Sequence, residues 1–378
     1  MRPDPSELIR GFRRDPTAAL AALNAERGIA GSTFIRAAGL PEAAKRVSTE
    51  ERDALEKLAV RLDAVNEARR AAHRDLEDSR FGISLRWTPI RRVGVYVPHK
   101  LASTAVTYLS AMAAAGVPEP LVYLVQDADG DVDPLCAFAA HRYGATTLVG
   151  PARLGFLALA FGVPAEHVAP VDLLAGPCGR ALNVLKHLAC MEGAAVPDMF
   201  AGPSAIAVIA DETAHWGQIA RDLEAQLEHG ADSSAHLFVV GAEAFDGWRS
   251  TPSPNPRISV EMVGGSVEAA RRIDELAPET VEVWTRDATA VARDIRCAGI
   301  TYVRTSSSLG DYGAIGRGCA DPTDRRARAQ SGLTPGTFLR AAEVVTRCGD
   351  DLSYCDAAAL IAEREGLPAH RAAILSSR

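Results

Sequence analysis

The chain has 378 residues, 47% of them hydrophobic, and a formal charge of −7. That is enough for one large core or two ordinary ones. The acidic balance argues against general nucleic-acid binding, which needs a basic face.

The longest apolar runs, such as AIAVIA and LGFLALAFG, fall far short of the roughly 20 residues that span a bilayer. Cysteines stand at 136, 178, 190, 297, 319, 348 and 355, with no CxxC pair. An odd count without close pairs predicts free thiols in a reducing compartment. The first residues show no apolar signal stretch. The expectation is a soluble cytoplasmic protein acting on a small molecule, with neither nucleic acid nor membrane as partner.

Residues 1 to about 80 read as helices. In the stretch 51–79, apolar positions recur at three- and four-residue spacing among many charges, which predicts an amphipathic helix with a solvated face. The pattern changes at Arg91. RRVGVYVP is a short β-branched run, followed by the helical STAVTYLSAMAAAGV and the strand LVYLV at 121–125. DPLCAFAAHRYG, ATTLVG and RLGFLALAFGV continue the alternation of helix, strand and helix. A second such region begins near Ser204 with the strand AIAVIADE, a helix over 213–229 and the strand AHLFVVG. Residues 246–257 read as a loop, after which ISVEMVG, SVEAARRIDELA, VEVWT, DATAVARDIRCAG and ITYVRT alternate again. From Gly332 onward the chain reads as mainly helical.

This alternation predicts βαβ units and parallel sheets. The fold class expected is α/β: two Rossmann-like three-layer α/β domains with a small helical C-terminal tail. Residues 1–95 are assigned to a helical part contributing to the first α/β domain and 96–204 to the second. Residues 205–331 continue the first, and 332–378 form the tail. Ligands are expected beyond the strand ends, on one edge of a sheet.

Gln226 and His229 lie three residues apart in DLEAQLEHGADSS, so both side chains leave one helical face. With Asp311, between glycines 310 and 313, and His370 in the tail, they form a candidate zinc set. Each also has a plainer reading: a histidine that packs or caps a helix end, or an Asx-turn aspartate. Cys178 sits in a glycine-rich turn before RALNVLKHLA. A passive turn residue is the preferred reading, and a dipole-activated thiol for aldehyde chemistry the alternative.

Several motifs, in this order, resemble the histidinol dehydrogenase family: AGPSAIAVIAD, DLEAQLEHGADS, APE at 277–279, GDYG at 310–313 and REGLPAH at 364–370. RRVGVYVP and the LALAFG at 157–162 resemble its other landmarks. The resemblance covers roughly residues 90–378. It implies a zinc enzyme that uses NAD to oxidise an amino alcohol through an aldehyde to an acid. The zinc ligands it implies are Gln226, His229, Asp311 and His370. It also implies a domain-swapped homodimer in which the tail histidine reaches the other subunit's site. Ser204 and Glu365 match substrate-contacting residues, and Tyr96 a nucleotide-contacting tyrosine.

The chain departs from that pattern. Pro278-Glu279-Thr280 stands where the family has Pro-Glu-His, so the base histidine is lost and Glu279 is the remaining candidate base. Pro98-His99-Lys100 replaces a Pro-Gly-Gly turn, Arg153 replaces a glutamine, and Gly176-Pro177-Cys178-Gly179 lacks an asparagine. Lys100 and Arg153 are thereby candidate cofactor contacts. Arg317, where the family's second substrate histidine is missing, is a candidate anchor for an anionic group. The reading is a zinc-dependent oxidoreductase of a small polar or anionic alcohol other than histidinol, using a nicotinamide cofactor. The alternative is a zinc-dependent non-redox enzyme of specialised metabolism that has lost NAD binding.

Overall fold

A computed structural model of the chain describes residues 5–26, 35–36, 44–193, 195–200, 202–251, 255–318, 320–346 and 353–377. It divides into two compact units, residues 1–73 with 89–340 and residues 74–88 with 341–378.

The larger unit is built on two sheets. Its strands are β1 (Ile35–Arg36), then, past β2 (Leu76–Asp78) and β3 (Ile83–Pro89), β4 (Arg92–Val97), β5 (Glu119–Val125), β6 (Thr146–Gly150), β7 (Leu173–Ala175) and β8 (Val196–Pro197). These form the first sheet in the order β1-β6-β5-β4-β7-β8, parallel except for β1. The second sheet holds β9 (Ala205–Ala210), β10 (Ser234–Val240), β11 (Ile258–Val263), β12 (Thr280–Trp284) and β13 (Ile300–Val303). Its order is β11-β10-β9-β12-β13, all parallel. Both parallel sheets thus run third, second, first, fourth, fifth, the doubly wound order.

Why these segments are strands is clearest in β9. Ile206, Val208 and Ala210 pack with Ile219, Leu223 and Leu227 of the helix Trp216–Leu227. Ala207 and Ile209 point the other way, onto Ala269, Ile273 and Val291. A strand covered on both faces reads as an unbroken apolar run, as AIAVIA does. In the first sheet the helix Ala102–Ala115 packs against Pro134–Arg142, while Gly155–Phe161 packs against Arg180–Glu192. The α/β class with two parallel Rossmann-like sheets and a short helical C-terminal segment is what the sequence predicted. No helix among the described residues is long and apolar enough to cross a membrane.

The smaller unit differs from its prediction in detail. A strand, β14 (Leu339–Val345), precedes its helices Ser353–Arg364 and Pro368–Ser376, and a three-stranded sheet runs β14-β3-β2. The helix expected over 51–79 spans Thr49–Arg70. It starts at a capping box, in which Ser48 Oγ accepts from Glu51 N and Glu51 Oε2 accepts from Ser48 N. Beyond it the chain turns into β2 and β3, with Gly82 at φ 63° between them, a conformation that suits glycine.

Lys186 and Asp198, both with fully buried side chains, form an ion pair at the C-terminal edge of the first sheet. Lys186 Nζ also donates to Gly176 O and Met199 O, each at 3.2 Å. Asp198 accepts from Gly176 N at 3.0 Å, Tyr108 Oη at 3.2 Å and Met199 N at 2.6 Å. The pair therefore ties four segments together with its polar atoms paired. Lys186→Met leaves the carboxylate buried with neutral donors only, and a loss of about 3 kcal/mol is expected in urea unfolding.

Candidate active site

In a doubly wound sheet, connections on either side of the strand-order reversal leave on opposite faces and open a crevice. In the first sheet that point lies between β4 and β7. A cavity of about 570 Å³ lies there, lined by Pro98 and Leu101 after β4 and by Gly176–Arg180 after β7. Gly176 adopts φ 118°, and a Cβ there would collide with the backbone of Tyr96. Only glycine lets the chain lie this close. The first turns of the helices Ala102–Ala115 and Arg180–Glu192 contribute to the wall, and neither has a side-chain cap. Their backbone donors are free to meet an anion.

The opposite wall comes from the N-terminal edge of the second sheet. Ser204 precedes β9, Ser233 precedes β10 and Glu279 precedes β12. His229 follows the helix Trp216–Leu227, and Asp311 ends the short helix Ser307–Asp311. Ser204, His229, Glu279 and Asp311 thus line one cavity. Glu279 is only 4% exposed. Thr280, next to Glu279, is buried at the start of β12 and is not part of the wall.

Gln226 lies on the same helix as the approach to His229 and is buried. Its amide nitrogen has no hydrogen-bond partner among the described residues. An imidazole, a carboxylate and an amide oxygen are an acceptable partial donor set for zinc, but the unpartnered atom of Gln226 is its N–H donor, which is no ligand. No group of three His, Cys, Asp or Glu side chains suited to a metal occurs among the described residues. His229 and Asp311 line the cavity and Gln226 does not, so the donor set among the described residues is incomplete.

The other candidates stand elsewhere. Tyr96 is buried in the core of the first sheet, stacked 4.5 Å from the Phe156 ring. Burial raises its phenol well above the ordinary range. Lys100 is exposed in the turn after β4, at φ 65°, and Arg153 is exposed in the short turn Ala152–Leu154. Neither lines the cavity. Arg317 is buried and paired with Asp321, which does line it. Glu365 and His370 belong to the smaller unit and are exposed. Cys178 is on the wall, but burial pushes its thiol up to about 12, which favours the passive turn residue over an activated thiol.

Sequence reasoning missed a pair of carboxylates behind the wall. Asp222 and Glu282 are 2% and 0% exposed. Asp222 Oδ1 accepts from Ser306 Oγ at 2.6 Å and Ser308 Oγ at 2.8 Å, and Oδ2 from Gln218 Nε2 at 3.0 Å. Glu282 accepts from Ser307 N and Trp284 Nε1, both at 2.7 Å. Burial, with the Asp222 charge adding to it, pushes Glu282 up to about 7.

A histidinol dehydrogenase family model matches residues 6–247 and 256–377. The chain belongs to the histidinol dehydrogenase family. The histidinol dehydrogenase of Rhodopseudomonas palustris is 33% identical over 324 residues, covering 78% of this chain and 73% of its own. That of Parasynechococcus marenigrum is 30% identical, covering 97% and 84%. The crystal structure of histidinol dehydrogenase from Elizabethkingia anophelis superposes with a TM-score of 0.84 at 22% identity, over 100% of this chain and 92% of that one. At that identity it speaks for the fold. Within the family frame, the edge-to-edge cavity is where this chain gathers its polar residues.

The raised Glu282 has a consequence for stability. Between its ordinary 4.5 and about 7, the folded chain holds this proton more tightly than the unfolded one. Its contribution is therefore full below about 4.5 and is lost as pH rises to about 7, by at most about 1.4 kcal/mol per pH unit. Urea unfolding at pH 4.5–7.5 should show that slope as the difference between the parent and Glu282→Gln.

Proposed function

We propose that the chain is a zinc-dependent oxidoreductase of histidinol dehydrogenase type, acting on a small polar alcohol other than histidinol. The observation that carries this is the convergence of Ser204, His229, Glu279 and Asp311 on one cavity. Gln226, His229 and Asp311 would hold the ion. By resemblance to the family, His370 from a second copy would complete it in a domain-swapped homodimer. Bound zinc supplies a Lewis acid that polarises the substrate hydroxyl and lowers its pKa. Glu279, buried and facing the same space, takes the hydroxyl proton in place of the family's histidine. Ser204 orients the substrate by a hydrogen bond, and Glu365 does so if the tail brings it there.

The charge of the wall narrows the substrate. Glu228, Asp232, Glu279 and Asp311 line it, against the single guanidinium of Arg180. Arg317 has its charge neutralised by Asp321. An alcohol that also carries an amine is favoured over an anionic one.

A nicotinamide cofactor, when bound, supplies the hydride acceptor. The Gly176–Arg180 turn and the uncapped helix starts suit its phosphates. One observation favours a second reading, zinc chemistry without redox: Tyr96, Lys100 and Arg153 all stand off the cavity wall. Titration of the zinc-loaded protein with NAD and NADP separates the two, since the redox reading requires saturable binding. In the redox reading, Glu279→Gln should lower kcat for alcohol-dependent NAD reduction about 100-fold or more with zinc content unchanged. His229→Ala should lose the zinc itself.

A further inference from the structure

Asp222 and Glu282 take no part in the proton transfer above, yet both are buried carboxylates. Their hydrogen-bond partners are neutral: three serine groups, an amide and an indole. No cation pairs with either among the described residues. Burying such groups without a counter-charge costs stability. Their placement gives that cost a use. Asp222 sits one helical turn before Gln226 on the helix that leads into His229. Its Oδ1 holds the Ser306 and Ser308 hydroxyls, and Glu282 on β12 holds the Ser307 amide between them. Ser307 opens the short helix whose last residue is Asp311. The residue before that aspartate, Gly310, is pressed against the Tyr302 ring, leaving no room for a Cβ. The segment between clamp and carboxylate is therefore short and held at both ends.

We propose that Asp222, backed by Glu282, is a positioning residue for the metal centre. Through Ser306 and Ser308 it fixes the Asp311 turn against the helix of Gln226 and His229, so that donors from distant parts of the sequence arrive in register. The proposal rests on the reading of those three residues as zinc ligands. Residues that orient ligands in this way tune metal affinity by about 10–100-fold.

The test uses the full chain and Zn2+ alone, titrated in competition with a chromophoric chelator, with Co2+ absorption spectra as a report on ligand geometry. The Ser306→Ala/Ser308→Ala double variant should bind Zn2+ about tenfold or more weakly, with altered Co2+ bands and a cooperative unfolding transition. Asp222→Ala should lose as much. Asp222→Asn should keep parent affinity, because its remaining oxygen still accepts both serines while Gln218 turns its amide. A double variant with parent affinity and an unchanged Co2+ spectrum overturns the proposal while leaving the zinc reading intact. A parent chain that binds no stoichiometric Zn2+ overturns both.

Discussion

The cavity exists because β4 and β7 are neighbours whose connections depart on opposite faces. The helix after β4 packs with Pro134–Arg142 on one side, and the helix after β7 packs with Gly155–Phe161 on the other. The two loops must diverge, and nothing in the sheet itself can close the gap. What keeps the gap in a single shape is the buried charge of Asp198. It gathers Lys186, Gly176, Tyr108 and Met199 at one point. Gly176, Tyr108 and Met199 are wall residues, so the geometry of the wall follows from how that carboxylate is satisfied.

The same economy recurs around the site, with different partners deciding each case. Lys186 and Arg317 are buried cations, each neutralised by an aspartate. For Asp321, burial raises the carboxyl and the Arg317 guanidinium pulls it back. Asp222 and Glu282 have no such cation, so the balance between them tilts toward protonation of Glu282. A pair like this is tolerated because each oxygen named above has an oriented donor, and removing a donor is then felt directly. Specificity of arrangement, rather than net stability, is what such groups contribute best.

Much of the fold was legible because strands buried on both faces write themselves as apolar runs, as in AIAVIA and LVYLV. β14 was not. Its sequence LRAAEVV is mostly exposed and alternates weakly, so nothing in it outvoted the helical residues around it. The helix over 51–79 was overrun by nine residues because charged residues continue past Arg70 while the backbone does not. At the site, the i, i+3 spacing of Gln226 and His229 and the motif order around Ser204, Glu279 and Asp311 offered candidates, and of these Ser204, His229, Glu279 and Asp311 line one cavity. The Lys186–Asp198 and Asp222–Glu282 pairs were invisible. A lysine or an aspartate in a helix looks solvated until the partner that removes it from water is known, and those partners are set by the sheet topology.

The electrostatics of the wall then decide what can occupy it. Two carboxylates about 6 Å apart repel by roughly 3 kcal/mol at an effective dielectric constant near 20. Asp321 escapes this through Arg317, but Glu228, Asp232, Glu279 and Asp311 share one cavity with a single wall guanidinium. In an empty, water-filled site that repulsion is screened. When a substrate displaces the water, screening falls and an uncompensated cluster becomes costly. In the proposed reading, a divalent ion held by His229 and Asp311 would offset part of that excess, and an ammonium on the substrate the remainder. An anionic alcohol would instead add to the repulsion, with only Arg180 to oppose it. Under the proposed zinc reading, the acidic wall therefore favours a substrate that is itself not negative over an anionic one.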